Sequence, residues 1–219
     1  MKTQKKLYYQ FAASIALLLF VFLGYVIKFY PQSQWLTSFD HTIISFIQQI
    51  TPAKTHFFKI ITFLGSPIFV AGLSAVLLIM LLWRHRKIEA FYLGINMVVV
   101  AGIINQILKH VFQRPRPDFL RLASAHGFSF PSGHAMGSML LYGTLLIFIT
   151  VWTKNRYAHW IAGILLAILV LLIGMSRIYL GVHYPSDIMG GWLVGAGYLC
   201  FTYPLFRQRI FIKEFKGEY

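Results

Sequence analysis

The sequence is poor in charged residues, and acidic residues are the scarcest of them. Charged side chains make up 12% of the 219 residues, with only six Asp and Glu against 20 Lys and Arg. Soluble domains carry about 25% charged residues, so this composition excludes an ordinary soluble domain. Hydrophobic residues account for 58% of the chain. Such proportions are typical of an integral membrane protein.

Cysteine and polar linkers are also nearly absent. Cys200 is the single cysteine, so the chain forms no internal disulfide, and its place in the last apolar stretch indicates a packing role. No long polar linker, low-complexity tract or short structural repeat interrupts the sequence. We therefore expect one domain over residues 1–219.

Long apolar stretches are abundant, and six of them can cross about 30 Å of hydrocarbon as helices. The first follows a basic N-terminus, but it is too long for a typical signal segment and no small-residue cleavage site follows it, which favours a retained anchor. The sequence thus predicts an all-α membrane protein, a bundle of six transmembrane helices. The predicted spans are residues 9–29, 67–83, 89–110, 135–153, 158–176 and 187–206.

A net charge of +14 raises the possibility of nucleic-acid binding, but the placement of the charge argues against it. Most basic residues fall on one side of a six-span layout, and the positive-inside rule makes that side cytoplasmic. We predict a multi-pass protein of the cell membrane with both termini in the cytoplasm and no nucleic-acid partner. The basic residues on that side are Lys2, Lys5, Lys6, Arg84, Arg86, Lys87, Lys154, Arg156, Arg207, Arg209, Lys213 and Lys216.

The outer segment at 34–66 is too apolar for a free loop. Its hydrophobic residues recur at helical spacing, while Pro52 and Gly65 interrupt the pattern. Two interpretations fit equally, namely a helix in the extracytoplasmic membrane interface or a helix packed on the bundle. Farther along, the pairs Gly133/Gly137 and Gly191/Gly195 have the spacing that allows close helix packing in lipid.

Three polar clusters lie at the outer ends of the third to sixth spans. Lys109, Arg116 and Arg177 supply cationic donors that match phosphate oxygens. Ser132 is suited to cap the helix that follows it, and Gly133 lets the helix N-terminus approach an anion closely. These residues predict a phosphate-binding pocket on the extracytoplasmic side. The clusters are residues 109–117, 131–134 and 176–187.

Two histidines within these clusters have the environment of catalytic groups. Asp187 follows His183 by four residues, so it can hold one imidazole nitrogen and leave the other free as a nucleophile toward phosphorus. His134, at the start of another helix, can protonate the leaving group and later activate water. A metal centre is disfavoured, because only Asp118 and Asp187 lie near the clusters and fixed cations repel a divalent ion. We expect no metal requirement.

The complete pattern resembles the type 2 phosphatidic acid phosphatase (PAP2) family. Its parts are K-x6-R-P at 109–117, P-S-G-H at 131–134 and S-R-x5-H-x3-D at 176–187, in order. The resemblance implies a cofactor-free phosphatase with His183 as nucleophile, Asp187 as its orienting partner and His134 as acid and then base. It also implies phosphate binding by Lys109, Arg116, Ser132, Gly133 and Arg177.

The resemblance further implies a phosphorylated membrane lipid as the substrate. Similar bacterial proteins act on phosphatidylglycerophosphate, phosphatidic acid, diacylglycerol pyrophosphate or undecaprenyl pyrophosphate. Two other functions remain open, namely transfer of a lipid phosphate to an acceptor other than water, and phospholipid transport. Transporters place their sites near the membrane midplane, whereas these clusters lie at span ends.

Three further residues near the clusters have no assigned role. Arg114 lies two residues before Arg116 and is either a membrane anchor or a contact at the rim of the pocket. Arg121 belongs to a solvated loop. His126 is a second candidate proton carrier, but no partner is spaced to assist it.

Overall fold

The computed structural model describes residues 3–118 and 121–215, and every regular element in these ranges is helical. Lys2 and Lys216, which contribute to the predicted orientation, lie outside the described residues. The helices are α1 (Thr3–Phe29), α2 (Gln34–Ile47), α3 (Pro52–Leu64), α4 (Pro67–Trp83), α5 (Lys87–Gly94), a π-helical segment (Ile95–Ile104), α6 (Asn105–Phe112), α7 (Gly133–Trp152), α8 (Arg156–Tyr179) and α9 (Pro185–Phe215).

The described helices confirm a multi-pass, all-α membrane protein. Five of them are long and apolar enough to span a bilayer, with α5, the π-helical segment and α6 forming one continuous span. The predicted second span coincides with α4, but its 17 residues give a length of only about 26 Å. Helices α3 and α4 are bent by 42° at the break between them, and counting this pair as one span brings the number to six.

The segment at 34–66 forms two helices, with breaks at the positions that the sequence indicates. Thr51 caps α3 ahead of Pro52, and Ser66 caps α4 ahead of Pro67, which is the favoured arrangement at helix starts. Helix α2 packs on α8 and α9, while α3 packs on α8. Both helices therefore pack on the bundle, as one of the two interpretations expects, and their placement in the membrane interface stays a prediction.

The centre of the bundle is α7, which packs against α8, α9 and the π-helical segment. Gly191 makes this approach possible, because a Cβ there would lie 2.8 Å from the Ser132 carbonyl oxygen and 3.0 Å from the Met136 amide nitrogen. The pair Gly191/Gly195 thus serves helix packing as predicted. For Gly137 the packing prediction is wrong, because nothing lies within 4 Å of an added Cβ. The space beside this glycine is empty.

The chain direction brings the end of α6, the start of α7, the end of α8 and the start of α9 to one end of the bundle. Backbone hydrogen bonds hold the connecting segments together there. Ser129 N–H donates to the Arg114 carbonyl at 2.8 Å, and Ser132 N–H donates to the Asp187 carbonyl at 3.0 Å. The three polar motifs therefore meet in one place.

Candidate active site

The three motifs surround one cavity of about 950 Å³ at this end of the bundle. Six predicted site residues line it, and the other two, Ser132 and Asp187, are fully buried beside it. The structure therefore brings together every residue that the sequence assigned to the site. The lining residues from that prediction are Lys109, Arg116, Gly133, His134, Arg177 and His183.

The N-terminus of α7 forms one wall of the cavity. Ser132 is the N-cap, and its hydroxyl accepts a hydrogen bond from Ala135 N–H, as the sequence predicts. Gly133 packs closely against Asn105 of α6, whose side-chain oxygen would lie 3.2 Å from an added Cβ. Because Gly133 and His134 line the cavity, the positive end of the helix faces the cavity and favours an anion there.

Three cationic side chains reach the cavity, and each is also tied to the protein. Lys109 Nζ donates to the Phe128 carbonyl at 2.6 Å. Arg116 donates to the carbonyls of His126 and Gly127 at 3.0 Å, and burial lowers its pKa, although an arginine stays charged at neutral pH. Arg177 donates from Nη1 to the Thr62 hydroxyl at 2.8 Å, but its buried Nε–H has no acceptor among the described residues. A buried donor of this kind is costly unless a ligand satisfies it.

The surroundings of His183 define which ring nitrogen carries a proton. Arg116 approaches Nε2 at 3.2 Å, and a guanidinium can only donate, so Nε2 must be the acceptor. The proton then resides on Nδ1, which faces Asp187 Oδ2 at 3.3 Å and the Ser129 hydroxyl at 3.2 Å. Burial lowers the pKa of His183 to about 4, against the opposing effect of Asp187. The ring is therefore neutral at pH 7, with a lone pair on Nε2.

Asp187 is saturated with hydrogen bonds. Its Oδ1 accepts from Arg114 at 2.7 Å, and its Oδ2 accepts from the Tyr184 N–H at 2.9 Å and from the Ser129 hydroxyl. Donors of this number and charge stabilise the carboxylate form. Asp187 can therefore hold the Nδ1 proton of His183 without taking it.

Several residues of the site could not be assigned from their motifs. Arg114 is neither a membrane anchor nor a rim contact, because it is buried in an ion pair with Asp187 and a second one with Asp40. Burial acts to lower its pKa, but the two carboxylates outweigh burial and raise it. One feature of the sequence could have revealed Asp40, because this acidic residue shares the buried face of α2 with Leu36 and Ile44. No local pattern marked Ser129.

The remaining candidates lie at the periphery. His126 is exposed and lines the mouth of the cavity, where its backbone carbonyl accepts from Arg116. Arg121 is exposed and donates to the Pro117 carbonyl, which agrees with the expected place in a loop. Among residues 3–118 and 121–215, no three His, Cys, Asp or Glu side chains are grouped so that they could hold a metal ion.

Together, the fold and this cluster define a multi-pass membrane protein with a cationic cavity and an oriented histidine. The sequence profile of the PAP2 superfamily matches residues 89–211, a range that includes all three motifs. This match covers more than half of the chain, and the chain belongs to the PAP2 superfamily. The family resemblance seen in the motifs is thereby confirmed.

Named relatives extend this result. Phosphatidylglycerophosphatase B from Bacillus subtilis (strain 168) is 32% identical over 143 residues, which are 62% of this chain and 66% of that protein. An undecaprenyl-diphosphatase from Sulfolobus acidocaldarius is 34% identical over 128 residues, which are 54% of this chain and 55% of that protein. The chain therefore spans less than two thirds of either relative.

A solved structure has the same architecture. The crystal structure of a transmembrane PAP2-type phosphatidylglycerolphosphate phosphatase from Bacillus subtilis matches with a TM-score of 0.77 at 25% identity. The match covers 91% of this chain and 98% of that one. The similarity extends beyond the residues that carry the motifs, to the helices that precede them.

Proposed function

We propose that this protein is a membrane lipid phosphatase that removes a terminal phosphate through a phosphohistidine intermediate. The environment of His183 carries the proposal. Arg116 donates a hydrogen bond to Nε2, which keeps the lone pair on that nitrogen, while Asp187 faces Nδ1. This nitrogen belongs to a cavity lined by Lys109 and Arg177 as well. The phosphatase names of the relatives and of the solved structure support the same reaction.

The first half of the reaction transfers the phosphoryl group to the protein. Arg116 turns its N–H from Nε2 to a phosphoryl oxygen, and the freed Nε2 lone pair attacks phosphorus. The bond from phosphorus to the leaving oxygen breaks while protonated His134 gives that oxygen a proton. Lys109, Arg116 and Arg177 stabilise the charge on the three remaining phosphoryl oxygens. Asp187 stabilises the positive charge that develops on the imidazole of His183.

The second half returns the protein to its starting state. His134, now neutral, takes a proton from water as the water oxygen attacks the phosphorus of the phosphohistidine. The phosphorus–nitrogen bond breaks, inorganic phosphate leaves, and Nε2 regains its lone pair. Replacing water with another hydroxyl compound in this step produces transfer to an acceptor.

The shape of the cavity supports a lipid substrate. Away from the cations, its lining is apolar and comes from α4, with Val70 and Leu78, and from the π-helical segment, with Met97 and Ala101. We call this part the tail groove. An acyl or isoprenoid chain fits such a lining while the phosphate reaches His183. The names of the two relatives point to phosphatidylglycerophosphate and undecaprenyl pyrophosphate as the first substrates to test.

The distribution of basic residues supports an extracytoplasmic site. Arg84 and Arg86 follow α4, Lys154 lies between α7 and α8, and Arg156 is the first residue of α8. All four are at the end of the bundle opposite to the cavity. The positive-inside rule orients that end toward the cytoplasm. Both termini then lie in the cytoplasm, and substrate is taken from the outer leaflet of the cell membrane.

The proposal is tested with purified protein in detergent and a panel of phospholipid and isoprenoid phosphates. We expect the protein to release inorganic phosphate and to keep this activity when a chelator is present. We also expect an acid-labile phosphoprotein that does not form in His183→Ala. Phosphate recovered on an added alcohol instead of in solution would indicate a phosphotransferase. Normal turnover by His183→Ala would exclude the phosphohistidine pathway, and binding without product would point to transport.

A further inference from the structure

A buried charge network connects the catalytic end of the bundle to α2. Arg114 donates from Nη1 to Asp187 Oδ1 at 2.7 Å and from Nη2 to Asp40 Oδ2 at 2.8 Å. Arg114 is 9% exposed, Asp40 is 3% exposed and Asp187 is fully buried. One guanidinium therefore bridges two carboxylates that are separated by 147 residues in sequence.

Asp40 also binds the first turn of α9 directly. Its Oδ1 accepts from Ser186 N–H at 2.9 Å, and its Oδ2 accepts from the Ser186 hydroxyl at 2.8 Å. A carboxylate at a helix N-terminus is stabilised by the free N–H groups there. Since Asp187 is the next residue, α2 supplies an anion that fixes the backbone from which the catalytic carboxylate projects.

The network has few ways to rearrange. The ring of Tyr184 lies 4.1 Å from the Arg114 guanidinium carbon and covers one of its faces. A planar guanidinium can hold two carboxylates at once, whereas a lysine ammonium lacks this fork. With Oδ1 of Asp187 held by Arg114, only Oδ2 remains for His183.

We propose that Asp40 and Arg114 are positioning residues for the reaction, an inference that rests on the proposed roles of His183 and Asp187. Asp40 orients Arg114, Arg114 fixes the carboxylate of Asp187, and Asp187 sets the direction of the His183 ring. Neither Asp40 nor Arg114 is among the cavity-lining residues of the described chain. Both therefore act without touching the substrate.

Asp40→Asn tests this role, and Glu89→Gln is the matched control. Glu89 is also a buried carboxylate, paired with Arg86 at 3.0 Å, but it lies at the other end of the bundle. We expect Asp40→Asn to lower kcat on the order of 10- to 100-fold, because small misplacement of a catalytic group has effects of this size. The rate of phosphohistidine formation falls in parallel, KM stays within about twofold, and Glu89→Gln keeps the original kcat.

The order of the relay is tested by combining substitutions. If Asp40 acts through Arg114, adding Asp40→Asn to Arg114→Gln lowers kcat little beyond Arg114→Gln alone. Asp40→Glu keeps a carboxylate and should retain more activity than Asp40→Asn. Ser186→Ala removes only a hydroxyl from the network and is chosen because it should disturb folding least. We expect it to lower kcat less than Asp40→Asn does.

Several outcomes would overturn the inference. They are a kcat for Asp40→Asn equal to that of Glu89→Gln, a raised KM at constant kcat, or fully additive losses in the double variant. If Asp40→Asn does not fold in detergent, Ser186→Ala decides, and an unchanged kcat for it rejects the relay. Failure of the proposed function is distinguishable, because His183→Ala would then remain active, whereas failure of the relay alone leaves His183→Ala inactive.

Discussion

His183 is constrained on both sides of its ring, and the two constraints have different chemical consequences. Arg116 donates toward Nε2, which keeps the lone pair on that nitrogen. On the other side Asp187 and Ser129 face Nδ1, so the ring cannot turn without losing both interactions. The single tautomer that the proposed attack on phosphorus requires is thus already set by the protein itself.

The protonation of His183 gives the first prediction. Burial lowers its pKa from the ordinary value of 6.5 to about 4, so the ring should stay neutral at pH values where an exposed histidine is protonated. Because the unfolded chain binds the proton more strongly, stability contributed by the neutral ring is complete above about pH 6.5 and is lost as the pH falls toward 4. Nitrogen-15 NMR of the histidines checks this, with His183→Ala identifying the signal. A pKa at or above 6.5 contradicts it.

His134 gives the second prediction, because a proton donor matters most for a poor leaving group. His134→Ala should lower turnover of a lipid phosphate by about 100-fold or more, the usual contribution of a positioned acid. An aryl phosphate, whose phenolate leaves without help, should lose much less. Parallel assays of both substrates make the comparison, and equal losses would remove the acid role of His134.

Local spacing predicted part of the site. The four-residue interval between His183 and Asp187 places them together at the start of one helix, and motif order brought Lys109, Arg116 and Arg177 into the same prediction. Ser129 and Asp40 had no such spacing signal, since Ser129 contacts His183 across 54 residues of sequence and Asp40 contacts Ser186 across 146 residues. Contacts of that kind depend on how helices pack, which periodicity does not specify.

Helices α7 and α9 approach each other at backbone distance. A Cβ added at Gly191 would meet Ser132 O at 2.8 Å and Met136 N at 3.0 Å, both backbone atoms that cannot turn away. His134 lies on α7 and Asp187 on α9, so this contact sets the spacing of two groups with proposed roles in catalysis. The packing of these two helices is therefore part of the site.

Gly191→Ala should separate the two helices and affect stability and turnover together. Forcing a methyl group into a filled space costs about 1–3 kcal/mol, and thermal unfolding in detergent measures it. The control is Gly72→Ala on α4, where nothing lies within 4 Å of an added Cβ. A Gly191→Ala protein as stable and active as the Gly72→Ala control would contradict the close contact.

Gly137 predicts the opposite kind of effect. It lines the cavity, and nothing occupies the space beside it. Gly137→Leu should therefore obstruct the tail groove and lower kcat/KM for long-chain lipid phosphates by about tenfold or more, the loss expected when some 1.4 kcal/mol of binding is removed. A short soluble phosphate should be hydrolysed at nearly the original rate, and an equal loss for both substrates would count against the groove.

Turn-forming residues and apolar length predicted the helices well. The breaks at Pro52 and at Gly65–Ser66–Pro67 appear where proline and glycine indicate them, and α4 has the predicted bounds. The sequence did not predict the π-helical segment Ile95–Ile104. A continuous apolar run has no periodicity that would distinguish a π-helix from an α-helix. Nor did spacing distinguish the two glycine pairs, one of which lines the cavity.

At the scale of the whole molecule, orientation in the membrane is the property most open to test. Cys200 is the only cysteine, so Cys200→Ser gives a background in which single cysteines can be labelled in intact cells. His126→Cys, at the mouth of the cavity, should react with an impermeant reagent from outside. Lys154→Cys, between α7 and α8, should react only after lysis. The reverse pattern would place the active site in the cytoplasm.

The glycine contact between α7 and α9 has a consequence for how lipid preference can change. Reaction geometry depends on backbones that touch, whereas the tail groove is lined by side chains of α4 and the π-helical segment. Under the proposed function, chemistry and chain recognition thus depend mainly on different helices, with Gly137 of α7 also lining the cavity. Replacing the groove-lining residues of this chain with those of a relative should transfer the relative's lipid selectivity. The rate of the chemical step should remain that of this protein.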